Sequence, residues 1–348
     1  RSKFSSLRMI WSTIGAILAG LVPTLMIKDT LNTSMYLKVA VIFGILFGLA
    51  AIVTFVGTWE KVKPPVKTRL RDSFSEASSV FKSRSFKIFI GIYLSGQCAM
   101  DFVSGMAIYY VDDVLQGYDK GYLTMLMGVL LSSQLIGMLI FTPIMTRTSK
   151  RTTILIGAPI RIVSTLGLLA FSYAGAPIVP VLLLSAGVGI GNAATLTSIF
   201  AILADMADID ELITSTSRPG IVSGMATFAR KISAGLSVWF IGILLSLVGY
   251  DANLAHSGVG QALSTQRGIA MIFIVIPVIL VVLLLIFGYI FPVTNKEFDV
   301  VKREIARRRG EDNSIATDAE KCILERVTGF KYEDLWKVSN EHKVKTNV

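Results

Sequence analysis

The sequence predicts an all-α, polytopic membrane protein, and three observations predict it. Of 348 residues, 53% are hydrophobic and 17% charged, with a mean hydropathy of +0.64, a balance rare in soluble domains. Several runs exceed about 18 largely apolar residues, the length a helix needs to cross a bilayer. No stretch alternates with the two-residue period of a membrane β-barrel. The net charge of +10 is spread as short basic clusters between apolar runs, as topology signals are, so nucleic acid is excluded as a partner. Cys98 and Cys322 fall in a span and in a polar tail and form no disulfide framework. His256 and His342 are isolated and no metal-ligand spacing exists, so no metal or other cofactor is expected. The chain has no P-loop, no serine elbow and no paired carboxylates in a plausible pocket, which argues against an enzyme and against an ATP-driven pump.

Eight spans are expected, at about 8–27, 35–56, 87–111, 121–145, 152–173, 176–204, 220–249 and 268–292. The segments between them alternate in charge. "RSKFSSLR", the long "KVKPPVKTRLRDSFSEASSVFKSRSFK" and "TRTSKR" are basic, whereas "DDVLQGYDK" is acidic. The excess of cations inside places both ends of this chain in the cytoplasm. The acidic "DMADIDEL", in a mixed connection at 205–219, falls on the same inner side, where acids carry little topological weight. The basic loop at 57–86 has two spans before it and six after it. Many secondary transporters are two six-span halves joined by such a loop. The chain also starts at Arg1 and has no signal peptide. The expectation is therefore the last eight spans of twelve. Residues 1–56 would be the last two helices of an N-terminal bundle and 57–86 the central cytoplasmic loop. Residues 87–293 would form a C-terminal six-helix bundle and 294–348 a cytoplasmic tail.

Polar residues inside the spans are candidates for function. Gln97, Asp101 and Ser104 recur at i, i+4 and i+7 and share one helix face. An unpaired carboxylate facing lipid is disfavoured, so this face should line a cavity or join an interhelical hydrogen-bond network. Arg161 is expected to pair with an acid near the inner surface or to snorkel there. In "SAGVGIGNAATLTSIF" the glycines suit close helix approach rather than a dinucleotide loop, because the strand and acidic residue of that motif are absent. Asn192, Thr195 and Ser198 follow at helical spacing and could face the interior. In "MATFARKISAGLS", Arg230 and Lys231 are adjacent and point about 100° apart, so both should not serve one site. Either they mark the membrane edge or "GIVSGMATFA" extends the helix, with Lys231 about 16 Å along it from Gly220. The tail reads as a mixed-charge helix from Asn295. A second helix, with Ile323, Val327 and Phe330 on one side, competes with a partly disordered segment.

At "LADMADIDELITSTSRPGIVSGMATFARKISAGL" the chain resembles the glycoside–pentoside–hexuronide cation symporters of the major facilitator superfamily, the melibiose-permease-like carriers. "SSLRMIWSTIGAILAG" is similar to their fifth helix and "GMAIYYVDDVL" to the end of their seventh, and the likeness covers residues 1–294 in order. It implies the major facilitator fold, with helices five to twelve of twelve in this chain. The implied function is symport of a sugar, glycoside or hexuronide with Na+ or H+ in the plasma or inner membrane. Lys231 matches a helix-eleven lysine near the sugar and cation sites, Arg8 a helix-five arginine that touches the sugar, and Thr227 a sugar-facing position one turn before Lys231. With Gln97 and Asp101 these make the expected substrate site. The resemblance turns Lys231 to the cavity and Arg230 toward a neighbouring helix or the inner interface. The family's coupling-cation carboxylates lie in helices two and four, outside this chain. Leu196 and Ala226 stand where melibiose-type members carry tryptophan and glutamine, so the likeness identifies the family and not a melibiose-like substrate. Two other readings stay open: a carrier of a non-sugar amphiphile, such as a lysolipid or drug, and an inactive truncated remnant.

Overall fold

In lipid no water satisfies backbone N–H and C=O groups, so apolar runs of about 20 residues close their hydrogen bonds internally as helices. The computed structural model describes residues 33–58, 77–117, 121–251 and 260–336, with Leu254 and scattered residues between 10 and 26. Among the described residues, seven helices are long and apolar enough to cross a membrane. They are α1 (Thr33–Gly57), α2 (Arg84–Tyr109, prolonged by a π-helical turn at Tyr110–Val114), α3 (Tyr122–Arg147), α4 (Lys150–Gly167), α5 (Ile178–Thr214), α6 (Pro219–Leu247) and α7 (Leu263–Ile290). Two shorter helices follow, α8 (Asn295–Arg309) and α9 (Asp318–Thr328). The span expected at 8–27 falls largely outside the described residues, as does most of the loop at 57–86.

The expected spans agree with α1 to α7 to within a few residues at most ends. The exception is α5, which runs past the expected end at 204 to Thr214. Its 37 residues reach about 55 Å, well beyond a hydrocarbon core of about 30 Å. The acidic run looks like a loop by charge, yet Met206, Ile209, Leu212 and Ile213 keep helical spacing and are buried. Three of its four acids are matched from other elements: Asp205 by Lys150, Asp210 by Arg218 and Glu211 by Arg309. The Arg218 guanidinium also donates to Ser79 Oγ at 2.8 Å. It thereby ties the start of α6 to the segment before α2.

Helix α5 packs against α3 and α4 through small residues. A Cβ added at Gly137 would lie 2.7 Å from Ala193 Cβ, and one at Gly157 would lie 2.2 Å from Ala194 Cβ. One at Gly191 would lie 2.7 Å from Arg161 Cβ. The glycine run is thus a close-approach surface between membrane helices, as its composition suggested. Helix α2 rests on α7, where Tyr110 stacks on Phe273 with ring centroids 4.2 Å apart and its hydroxyl meets Ser172 Oγ at 3.0 Å. Helix α1 differs: along most of its length its apolar side chains, such as Ile45, Phe47 and Val53, are exposed.

Helices α8 and α9 cap one end of the bundle. Each begins with a capping box, Thr294 with Glu297 and Thr317 with Glu320. Each ends at a left-handed glycine, Gly310 (φ 78°) and Gly329 (φ 81°). Phe298, Val301 and Ile305 of α8 and Leu324 and Val327 of α9 join the core cluster that contains α5's Leu212, with Ile323 and Phe330 packed against it. Ser85 Oγ donates to Val327 O, and the Trp336 N–H donates to Leu212 O at 3.2 Å. The tail is therefore helical and docked as far as Trp336.

Candidate substrate site at the α2–α6 seam

Helices α2 and α6 lie side by side. Phe102 meets Phe240 edge-on with centroids 6.1 Å apart, Ile241 fills the space over Gly105, and Cys98 Sγ contacts Ser233 Oγ. Between these contacts is a bidentate ion pair. Arg230 Nη1 donates to Asp101 Oδ2 and Nη2 to Asp101 Oδ1, both at 2.7 Å. The side chains keep 22% and 23% of their surface exposed, so the pair is partly shielded. Single charges at the centre of a membrane helix cost about 2.5–3.5 kcal/mol on insertion scales, and pairing offsets most of that. Arg230 thus points to a neighbouring helix, and its partner is the aspartate that the spacing had marked as a cavity residue.

Lys231 leaves the helix about 100° from Arg230. It is exposed, and among the described residues no carboxylate pairs with it. Thr227, one turn earlier, is exposed too, and its hydroxyl donates back to Ser223 O at 2.8 Å. Gly220, Gly224 and Gly235 lie on the same face, and no atom approaches within 4 Å of a Cβ placed on any of them. This face of α6 is therefore open along several turns. It has a hydroxyl and a free ammonium at its middle and groups too small to fill the space beside them. Gln97 is half-buried and Ser104 exposed on α2. Arg8 lies outside the described residues.

Arg161 corrects the sequence reading. It neither pairs with an acid nor snorkels; it is fully buried in the bundle. Its Nη1 donates to Asn192 Oδ1 at 3.0 Å and to Gly96 O at 3.4 Å, and Asn192 Nδ2 donates to Gln134 Oε1 at 2.7 Å. Among the described residues, Nε and Nη2 have no hydrogen-bond partner. The reason is position: Arg161 lies about 16 Å along α4 from Lys150, too far in to reach the membrane edge. Gly157 and Gly191 bring the neighbouring helices close enough to seal it in. Thr195 and Ser198, expected to face the interior, are buried on α5. No group of three or more His, Cys, Asp or Glu placed to hold a metal occurs among the described residues.

Seven helices of membrane-spanning length and composition, with a hydroxyl and an ammonium on an exposed helix face, define a multi-pass membrane protein. The chain belongs to the MFS/sugar transport protein family, whose model matches residues 1–295. It is 27% identical over 221 residues to the glucuronide carrier protein homolog of Escherichia coli (strain K12), covering 62% of this chain and 46% of that one. It is 25% identical over 331 residues to a proposed sulfoquinovose importer of Salmonella typhimurium (strain LT2), covering 94% and 68%. It is 25% identical over 337 residues to the isoprimeverose transporter of Lactiplantibacillus pentosus, covering 91% and 65%. The matches thus span about half to two thirds of these relatives' lengths. The chain is homologous to sugar and glycoside symporters of the glycoside–pentoside–hexuronide type and is a multi-pass membrane protein.

Proposed function

We propose that the protein is a secondary active transporter that carries a sugar, glycoside or hexuronide together with a cation, Na+ or H+, by alternating access. The observation that carries this reading is the open face of α6, where Thr227 and Lys231 stand exposed within a membrane span. A lysine there is costly against lipid and useful in a wet cavity, where it donates charge-assisted hydrogen bonds to sugar hydroxyls or to an anionic substituent. Lys231 has no carboxylate partner among the described residues, which favours a substrate that brings its own negative charge. The names of two relatives, a glucuronide carrier protein homolog and a proposed sulfoquinovose importer, point the same way. Arg8 of the preceding half would contact the substrate from across the cavity, with Gln97 and Asp101 on the α2 side. In this reading α2 to α7 form the C-terminal bundle, α1 belongs to the N-terminal one, and both ends of the chain with α8 and α9 lie in the cytoplasm. Arg230 would hold Asp101 and set the distance between α2 and α6.

The test is uptake by cells or proteoliposomes that carry the full-length transporter, with imposed Na+ or H+ gradients and labelled glucuronides and neutral glycosides as cargo. One of the two gradients should drive accumulation. Lys231→Ala should weaken substrate binding by about ten- to hundredfold, the loss of one charge-assisted contact of about 1.5–3 kcal/mol. Uptake of every sugar that ignores both gradients, or binding unchanged in Lys231→Ala, would overturn the proposal.

A further inference from the structure

Three cations flank the junction of the α3–α4 turn with the start of α8. Arg147 closes α3, Arg151 lies in the first turn of α4, and Lys296 opens α8. The Asn295 side-chain amide donates to Thr148 O at 2.8 Å. This bond pins the start of α8, with Lys296 next in the chain, to the α3–α4 turn that Arg147 and Arg151 flank. The N-termini of α4 and α8, capped by Ser149 and Thr294, meet at the same place and add their partial positive charge. Neighbouring cations are matched: Lys150 by Asp205, Arg307 and Arg308 by Glu304, and Arg309 by Glu211. Among the described residues Arg147, Arg151 and Lys296 form no ion pair. The carboxylates that follow on α8 turn elsewhere, Glu297 to Thr294 and Arg326, and Asp299 to Lys302.

On the membrane side of these cations the surface is apolar. The Arg151 guanidinium lies over the Tyr289 ring, 5.1 Å from its centroid. Tyr289 is 68% exposed, and further inward Ile286 and Val282 on its side of α7 are exposed, as is Pro159 on Arg151's side of α4, with Leu155 half-buried before it. From the end of the bundle inward, the seam between α4 and α7 offers cations, then an interfacial tyrosine, then an aliphatic strip. That is the order of phosphate, glycerol region and acyl chain in a phospholipid. We propose that this seam binds an anionic phospholipid, with the phosphate held by Arg147, Arg151 and Lys296 and an acyl chain along α4 and α7. The apolar strip commits the site to a lipid rather than to a free anion.

Native mass spectrometry of the chain in a neutral detergent, titrated with dioleoyl phosphatidylglycerol or phosphatidylcholine, tests this. The chain should retain phosphatidylglycerol in preference to phosphatidylcholine, and equimolar inorganic phosphate should not displace it. The variant Arg147→Gln/Arg151→Gln/Lys296→Gln should bind phosphatidylglycerol about a hundredfold more weakly, from the usual contribution of each basic residue at an anionic membrane surface. The variant Arg303→Gln/Lys321→Gln/Lys331→Gln loses the same charge on the tail and should bind as the parent does. If the first variant does not fold, Arg151→Gln alone serves, with an expected loss of about fivefold. Unchanged retention in the folded seam variant, equal retention of phosphatidylcholine, or displacement by inorganic phosphate would overturn the proposal.

Discussion

The Asp101–Arg230 pair makes a quantitative prediction about how α2 and α6 are held. Breaking a fully buried pair costs about 3–5 kcal/mol, because it leaves one charge unmatched; an exposed pair is worth about 0–1 kcal/mol. With 22% and 23% of the two side chains exposed and both oxygens engaged at 2.7 Å, this pair lies nearer the buried limit. Asp101→Asn and Arg230→Gln should each destabilise the chain by about 2–3 kcal/mol. The double variant removes both charges and should recover to within about 1 kcal/mol of the parent, a coupling energy of at least about 2 kcal/mol. The assay is reversible unfolding in mixed micelles followed by circular dichroism, run on all four proteins. Single variants whose losses are small and simply add would refute the argument that the pair, rather than the surrounding packing, joins the two helices.

The packing of α5 and the openness of α6 predict opposite responses to added carbon. Gly191→Leu should destabilise by about 1–3 kcal/mol through overpacking, since its Cβ alone would lie 2.7 Å from Arg161 Cβ. Gly224→Ala, with nothing within 4 Å, should be neutral or stabilising by up to about 1 kcal/mol from helix propensity; the same unfolding assay compares them. A pH titration tests the tail. Burial pushes the Glu297 carboxyl up, but hydrogen bonds from Thr294 and from its own backbone N–H, with Arg326 nearby, outweigh it and hold the pKa below the ordinary 4.5. A depressed carboxylate contributes stability above 4.5 that is lost as pH falls through the folded value. Proteolysis of the α8–α9 tail should therefore accelerate as pH falls below that point. Glu297→Gln should flatten the response, and an unaltered pH profile in that variant would refute the assignment.

Most of the helices were legible in the sequence because a membrane leaves a run of about 20 apolar residues few alternatives. The glycines of α5 were legible for the same reason, since small residues are what lets two membrane helices approach. The last ten residues of α5 were not. Their acids signal solvent, and the partners that make them helical and buried, Lys150 and Arg309, lie far away in sequence. Arg161 was misread because its partners are neutral amides and carbonyls, which carry no charge to search for. The Asp101–Arg230 pair was half legible: both charges stand out within their spans, but the register of α6 against α2 does not follow from either helix alone. Composition would suggest the pairing only by noting one acid and one arginine deep in two different spans. Lys231 and Thr227 came from the likeness to the family rather than from spacing alone, and the structure adds that both are exposed and that the open glycines lie on their face.

The account's central claim is that the face of α6 with Thr227 and Lys231 meets water and substrate rather than lipid. Cysteine labelling tests this most directly. In the full-length transporter with Cys98 and Cys322 replaced by serine, Thr227→Cys should react with a membrane-impermeant, hydrophilic maleimide, and saturating sugar should slow that reaction severalfold. Ile232→Cys, about 140° around the helix from Thr227, should stay unreactive under the same conditions. Equal silence at both positions, or reaction at Thr227→Cys that no glycoside or hexuronide slows, would contradict the claim.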